Sequence, residues 1–449
     1  MRDIHIIGGG LAGCEAAWQI ARAGGRAVLH EMRPLRQTPA HKTGDLGELV
    51  CSNSLKSEQQ NSAPWLLKEE LRRLGSLLIA EIAPRVRVPA GHALTVDRET
   101  FAAEITRTIE VEPAIEIRRE EVTTLAVEPA AERIWIIASG PLTSDAFAEE
   151  IGRVTGSGRL FFYDSISPIV DAESIDTSIA FRASRYDKSL DGTADYLNCP
   201  FDKAQYDAFL DALLAAESVP AHIAEDRPGP DNTRYFEACL PIEEIARRGR
   251  DTLRFGPMKP MGLSDPRTGR RPWAVVQLRQ EDARAGSYNL VGFQNHMRFG
   301  DQQRVLRMIP GLERAEFLRF GQVHRNTYIN GPALLAPTLQ LRTRPQVFFA
   351  GQISGVEGYV ESIATGLMAG RGAAALARGE APRAFPRETA MGSLAAYVSG
   401  ADPLHYQPAN ITFDLLPKLE NPPRDKKVRY AQVCRCALTA LEEYLCAHV

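Results

Sequence analysis

No run of apolar residues in this 449-residue chain reaches the length needed to cross a bilayer, so a transmembrane helix is excluded. Cysteine is scarce and scattered. The seven (Cys14, Cys51, Cys199, Cys239, Cys434, Cys436, Cys446) are odd in number, and Cys434 and Cys436 lack the spacing of a zinc half-site. Free thiols in a reducing cytoplasm are therefore expected. The first strand begins at residue 4, which leaves no room for a secretory leader. The chain has almost no net charge, −3. A generally basic polymer-binding protein is thus excluded, and any nucleic-acid contact must come from a local patch. Internal repeats and low-complexity segments are missing too.

What is present begins at once. Ile4-His5-Ile6-Ile7 reads as a strand, followed by Gly8-Gly9-Gly10-Leu11-Ala12-Gly13, a helix, and a second strand ending at Glu31. A G-x-G-x-x-G between strand and helix seats a pyrophosphate. Gly8 allows the tight turn, Gly10 lets the backbone approach the phosphates, and Gly13 lets helix and strand pack closely. The helix N-terminus adds N–H donors and the positive end of its dipole. Glu31 lies at the distance from which a carboxylate accepts from a ribose hydroxyl. An adenine dinucleotide is the expected ligand.

A chain of this size makes two or three domains. Residues 36–62 are polar and loop-like, and so long a loop in a compact domain is usually functional or disordered. A helix is expected over 64–82, with Leu67, Leu71, Leu74 and Leu78 on one face. Asp97 should cap a helix over 98–109. Strands are expected near 115–117, 122–127 and 133–138, so that Gly140-Pro141-Leu142-Thr143-Ser144 follows a buried strand. Between Arg247 and Arg307 there are 13 lysines and arginines against five acidic residues, a local balance of +8. This stretch is either a phosphate-binding patch or a solvated, salt-bridged face. Then a strand ends in Gly351, followed by Gly355-Val356-Glu357-Gly358-Tyr359 and a helix of small residues. A late strand–glycine–helix joined to an early β-α-β unit suggests FAD. The expected class is α/β: a Rossmann-like, glutathione-reductase-like FAD-binding domain with an inserted smaller α/β domain. The boundaries are 1–185 (first part), 186–309 (insert, for tRNA or substrate) and 310–449 (second part, with a C-terminal helix over 430–446).

Several irregular segments carry a family resemblance. They are His5–Glu15, Leu49-Val50-Cys51-Ser52-Asn53-Ser54-Leu55-Lys56-Ser57, Gly140–Ser144, Asp195–Pro200, Phe236-Glu237-Ala238-Cys239-Leu240-Pro241-Ile242-Glu243, His324–Asn330 and Gly351–Tyr359. With them the chain resembles the bacterial folate- and FAD-dependent tRNA (uracil-54-C5) methyltransferases, small relatives of the glucose-inhibited division protein A, from residue 4 to about residue 370. The resemblance implies FAD, 5,10-methylenetetrahydrofolate as carbon donor, NADH or NADPH as electron source, and the tRNA T-loop, not DNA, as substrate.

Such a reaction needs a thiolate to add at C6 of uracil, a group to take the C5 proton, a folate site and a hydride source. Cys51 and Cys239 are the matching thiols, one the nucleophile and one a base, unassigned between them. The other five read as small apolar side chains. Glu357 is the candidate for the pterin, which presents two adjacent donors to a carboxylate. Gly351, Gly355 and Gly358 would bring backbone to the flavin, and His296 would stack on the pterin or bind phosphate. The rival readings are wobble-uridine modification with the same cofactors and a flavin oxidoreductase of a small molecule.

Overall fold

The strand Ile4–Ile7 sits in the middle of a sheet because all four of its residues are buried on both faces, as a central parallel strand requires. It pairs in parallel with Ala27–Glu31 on one side and Ile134–Ile137 on the other. The sheet continues outward to Ile115–Arg119 beyond the first, and through Arg344–Phe349 to Gln340–Leu341 beyond the second. The chain leaves Ile7 in one direction and later returns on the opposite side. That topological switch opens a crevice at the carboxyl end of the central strand, where ligands of open α/β sheets bind. In the computed structural model, residues 2–125, 133–157, 160–190, 192–218 and 240–447 are described, with backbone alone for 160–165 and 323–325.

Two helices cover one face of this sheet. Leu11–Arg22 packs against Tyr359–Ala377 along a stripe of small residues. A side chain at Gly366 would meet the Ala12 carbonyl oxygen at 2.3 Å, and one at Gly370 the Ala16 oxygen at 2.6 Å. Backbones this close exclude larger residues and lock the late helix beside the glycine loop.

A second six-stranded sheet is antiparallel between its described neighbours. Its order is Phe181–Ala183, Tyr196–Phe201, Ala274–Gln280, Ser287–Leu290, Ile169–Asp171 and Phe317–Arg319. It has its own core, in which the rings of Phe201, Phe209 and Phe293 meet in turn at tilted angles. Its strands reach from residue 169 to 319, a wider span than the 186–309 expected for the insert.

One expected helix is broken. The periodicity over 64–82 yields Ala63–Arg73 and then a separate wide turn, Leu77–Ile82. Gly75 takes φ +73 between them, a left-handed conformation that ends a helix. The fully buried Glu15 then captures the new start, accepting from Ser76 Oγ and from the N–H groups of Leu77 and Leu78. The Asp97 cap forms as expected, with Oδ1 accepting from Thr100 N–H at 2.9 Å. Residues 121–125 form no strand, and 126–132 lie outside the described residues. The C-terminal helix is longer than expected, Lys426–Cys446. No helix among the described residues is long and apolar enough to cross a membrane.

Candidate active site

The crevice holds about 1020 Å³ of empty space, part of it open to solvent. Gly8, Gly10, Leu11, Ala12, Glu31 and Gly351 line it, with the 138–144 segment opposite. The glycines divide their work as sterics dictate. Gly8 has φ +106, and a side chain there would strike the Ala138 backbone at 2.4 Å. A Cβ at Gly13 would sit 1.8 Å from the Gly8 oxygen, so Gly13 is what allows helix and strand to touch. A Cβ at Gly10 would meet nothing within 4 Å. Gly10 is therefore spared a side chain by the crevice, not by the protein, as expected for a backbone that lies against a ligand. Gly9 does not line the crevice. Its N–H donates to Glu31 Oε2 at 2.8 Å and its carbonyl accepts from Gly47.

Glu31 ends its strand on the crevice wall and is nearly buried. Its carboxylate is held by Arg33, through the backbone N–H (2.9 Å) and the guanidinium (3.0 and 3.2 Å), and Arg33 in turn reaches Glu48. Burial would raise its pKa, but the Arg33 hydrogen bonds and charge outweigh that and hold it below the usual carboxylate range. It stays ionised, and its four acceptor positions are filled by Gly9 and Arg33, so a ribose hydroxyl would take the place of one of the Arg33 contacts.

A second cavity, about 950 Å³, adjoins the first. Val50, Pro141, Leu142, Gln352 and Tyr359 belong to both walls. Cys51 and Glu357 line the second cavity, as do Lys56, Gln294, Asn326 and Asn410. The stretch expected as a loop over 36–62 is irregular up to Asn53, after which Ser54–Ser57 forms a short strand paired with Ala93–Val96 in a three-stranded sheet. Asn53 fixes it, donating to the Val96, Gln280 and Glu281 carbonyls.

Cys51 is half-buried, and Tyr359 determines its surroundings. The phenol oxygen accepts the N–H of Cys51 at 2.9 Å and of Ser52 at 3.2 Å, and it lies 2.9 Å from Cys51 Sγ. Two N–H donors fill the two lone pairs. The remaining hydroxyl proton is then the one directed at sulfur, so Tyr359 donates and the sulfur accepts. Burial raises the Tyr359 pKa well above its ordinary value, and the donor stays protonated. A hydroxyl aimed at sulfur favours the thiolate over the thiol. Burial does the opposite to Cys14, Cys199 and Cys434, pushing the last up to about 12 and the first two further. These three read as packing residues, while Cys436 and Cys446 are exposed on the C-terminal helix. Cys239 lies outside the described residues.

Glu357 is almost buried. Gln352 Nε2 donates to its Oε2 at 2.6 Å, and its own N–H donates to the Ala409 carbonyl. Beside it Lys56 takes a left-handed φ of 63 and pairs with the buried Glu361 at 2.6 Å.

Two expected positions differ. Gly355 lines neither cavity; a Cβ there would meet the Tyr406 hydroxyl at 2.0 Å, so this glycine makes room for a tyrosine ring and not for a flavin. His296 also lines neither cavity. Its backbone N–H donates to Glu243 Oε1 at 2.8 Å and its ring nitrogen lies 3.4 Å from the same oxygen. Burial pushes the Glu243 carboxyl up to about 7 and the His296 ring down. The arginine-rich stretch is partly neutralised. Arg247, Arg250, Arg254, Arg267, Arg298 and Arg304 each hold a carboxylate, several of them from outside the stretch. Arg270 and Arg271 remain exposed.

Residues 3–381 match the family model described as "Glucose inhibited division protein A". A relative from Solibacter usitatus (strain Ellin6076), "Methylenetetrahydrofolate--tRNA-(uracil-5-)-methyltransferase TrmFO", is 71% identical over 448 residues, 99% of this chain and 98% of the relative. One from Koribacter versatilis (strain Ellin345), with the same name, is 63% identical over 446 residues, 98% of each. Among solved structures, Aquifex aeolicus GidA in its form II crystal aligns with a TM-score of 0.66 at 16% identity, over 99% of this chain and 75% of that one. At that identity the likeness shows the fold.

Proposed function

We propose, on the premise that this chain belongs to the glucose inhibited division protein A family, that it methylates C5 of uridine 54 in the T-loop of tRNA. The carbon donor is 5,10-methylenetetrahydrofolate, and FAD, recharged by NADH or NADPH, is the reductant. One observation carries the reading: a dinucleotide crevice shares a wall with a cavity lined by a half-buried cysteine and a buried carboxylate. The names of relatives 71% and 63% identical over nearly the whole chain support the same chemistry.

The residues present fit FAD. The open space before Gly10 and the tight turn at Gly8 form a cradle for a pyrophosphate, and Glu31 lines the crevice where a ribose hydroxyl would replace one of its Arg33 contacts. Bound there, the reduced flavin supplies the hydride. The protein's own share is to orient and to move protons. Gln352 holds Glu357 in place, from which its carboxylate accepts the paired N–H groups of a pterin. One thiol adds to C6 of the uracil and makes C5 nucleophilic; the other takes the C5 proton once the one-carbon unit is attached. Cys51 and Cys239 fill these two roles. Ile242, three residues after Cys239, donates its N–H to the carbonyl of Gln294, and Gln294 lines the second cavity, which supports Cys239 as the partner thiol.

The target base is buried in a folded tRNA elbow and has to be unstacked to enter. Exposed arginines before the strand Ala274–Gln280, Arg270 and Arg271 among them, grip phosphates. The substrate and co-substrates put the enzyme in the cytoplasm.

The test is to incubate the flavin-loaded protein with unmodified tRNA, ring-intact methylenetetrahydrofolate labelled in its one-carbon unit, and NADH or NADPH. Label in 5-methyluridine at the T-loop is the expected result. NAD(P)H oxidation with no label in RNA would favour the small-molecule oxidoreductase instead, and label at the anticodon the wobble-uridine reading.

A further inference from the structure

Three arginines from three separate elements converge on the backbone that carries Cys51. Arg98, the first residue of the helix Arg98–Glu110, donates Nη1 to the carbonyls of Leu49 (2.8 Å) and Val50 (3.2 Å). Arg319, last in its strand, donates Nη1 to the same Val50 carbonyl at 2.8 Å and Nη2 to Ala40 at 3.3 Å. Arg279, from Ala274–Gln280, donates Nη2 to Ser52 Oγ at 2.8 Å. The three contacts bracket Cys51 on either side in sequence.

Their charges are not balanced locally. Glu281 pairs with Arg98 at 2.7 Å and accounts for one of the three. Among the described residues, no carboxylate forms an ion pair or hydrogen bond with Arg279 or Arg319. Both are partly withdrawn from solvent, Arg319 against the Val50 and Ala40 carbonyls and Arg279 against the Ser52 hydroxyl, and desolvating a guanidinium against neutral acceptors alone is costly. An anion nearby would offset that cost. Other charged groups near the loop have partners of their own. Lys56 is held by Glu361, and Glu48 by Arg33. His41 and Lys42 add further positive potential or none. Tyr359 stays protonated by burial, and Glu357 faces the same cavity with Gln352 on it. Cys51 stands in sequence between the residues that Arg319 and Arg279 hold, and its sulfur lies 2.9 Å from the Tyr359 hydroxyl.

We infer that Arg319 and Arg279, with Arg98 fixed by Glu281, are positioning residues that hold Cys51 as a thiolate in the resting enzyme. The thiol is thereby ionised before substrate enters, which serves either role, since both the nucleophile and the base must start without the proton. The inference rests on Cys51 being a working thiol of the proposed reaction.

The test reads ionisation directly and does not depend on methylation. Flavin-loaded protein is alkylated with iodoacetamide across about pH 5 to 9, where thiols titrate, and the modification of each cysteine-containing peptide is followed by mass spectrometry. In the unaltered protein Cys51 should react with a midpoint below that of exposed Cys436. Coincident profiles for the two would overturn the inference without any variant. In Arg319→Gln, alkylation of Cys51 near neutral pH should slow by about tenfold and recover at high pH, with Cys436 unmoved. Arg319→Lys should restore most of the rate. Arg279→Gln gives the same reading should Arg319→Gln lose its flavin. Cys51 profiles that superimpose on the unaltered protein in the Gln variants would sink the proposal. If the shift occurs but no tRNA is methylated, the inference stands and the functional reading falls.

Discussion

Replacing Cys51 with alanine abolishes methyl transfer, by about 10⁴-fold or more on the scale of lost nucleophiles and bases, and leaves the flavin bound. The size follows from the chemistry. C5 of uracil has too little electron density to attack carbon until a thiolate adds at C6, and an adduct that forms cannot resolve until a base takes the C5 proton. Loss of either thiol stops the sequence, and no neighbour can substitute. Cys14 and Cys199 are sealed in apolar surroundings, and their thiols are held protonated by burial. The flavin survives because Cys51 lines the second cavity and not the first. Label transfer to tRNA and the visible flavin spectrum, measured on the same preparation, check both halves. Appreciable methylation by the Cys51→Ala protein would remove that residue from the mechanism.

The second large effect separates two glycines of one loop. Gly10→Ala should leave the apoprotein as stable as before, since Gly10 has an ordinary φ of −76 and its Cβ would enter open space. That space is where the phosphates lie. A methyl group there costs one or two charge-assisted hydrogen bonds, or about 100-fold in FAD affinity. Gly13→Ala fails differently. Its Cβ would overlap the Gly8 oxygen, a backbone atom that has no other place to go. The helix must move off the sheet, at a cost of about 3 kcal/mol or more, and both melting temperature and flavin content fall. Flavin titration and thermal melts of the two apoproteins distinguish the outcomes. If the two variants behave alike, the loop is not a phosphate cradle.

How much of this was legible in the sequence depends on how far apart the determining residues lie. The glycine loop was readable because turn, approach and packing are imposed within ten residues, and Asp97 was readable as a cap for the same local reason. The break at Gly75 was not, because Glu15, from an earlier helix, decides it. Cys51 was marked by its polar loop and by the resemblance, but its environment was hidden. Tyr359 closes the Gly355–Tyr359 segment, and the only sequence signal of its role is a tyrosine directly after glycine at the start of a helix. Arg98, Arg279 and Arg319 come from parts of the chain that only the fold assembles, and no spacing links them. Gly355 misled because glycine signals close approach without naming the neighbour, which here is Tyr406. The basic stretch overstated its charge, since Glu217, Asp211 and Glu244 lie outside the counted window and pair with its arginines.

A crystal structure of the FAD-loaded protein measures most directly where the flavin ring lies relative to Cys51. The expected result is a dinucleotide along Gly8–Gly13 whose ring reaches the wall shared by Val50, Leu142 and Tyr359, with the Cys51 sulfur facing it across the second cavity. A ring turned away from that wall, leaving Cys51 sealed off from it, would contradict the account.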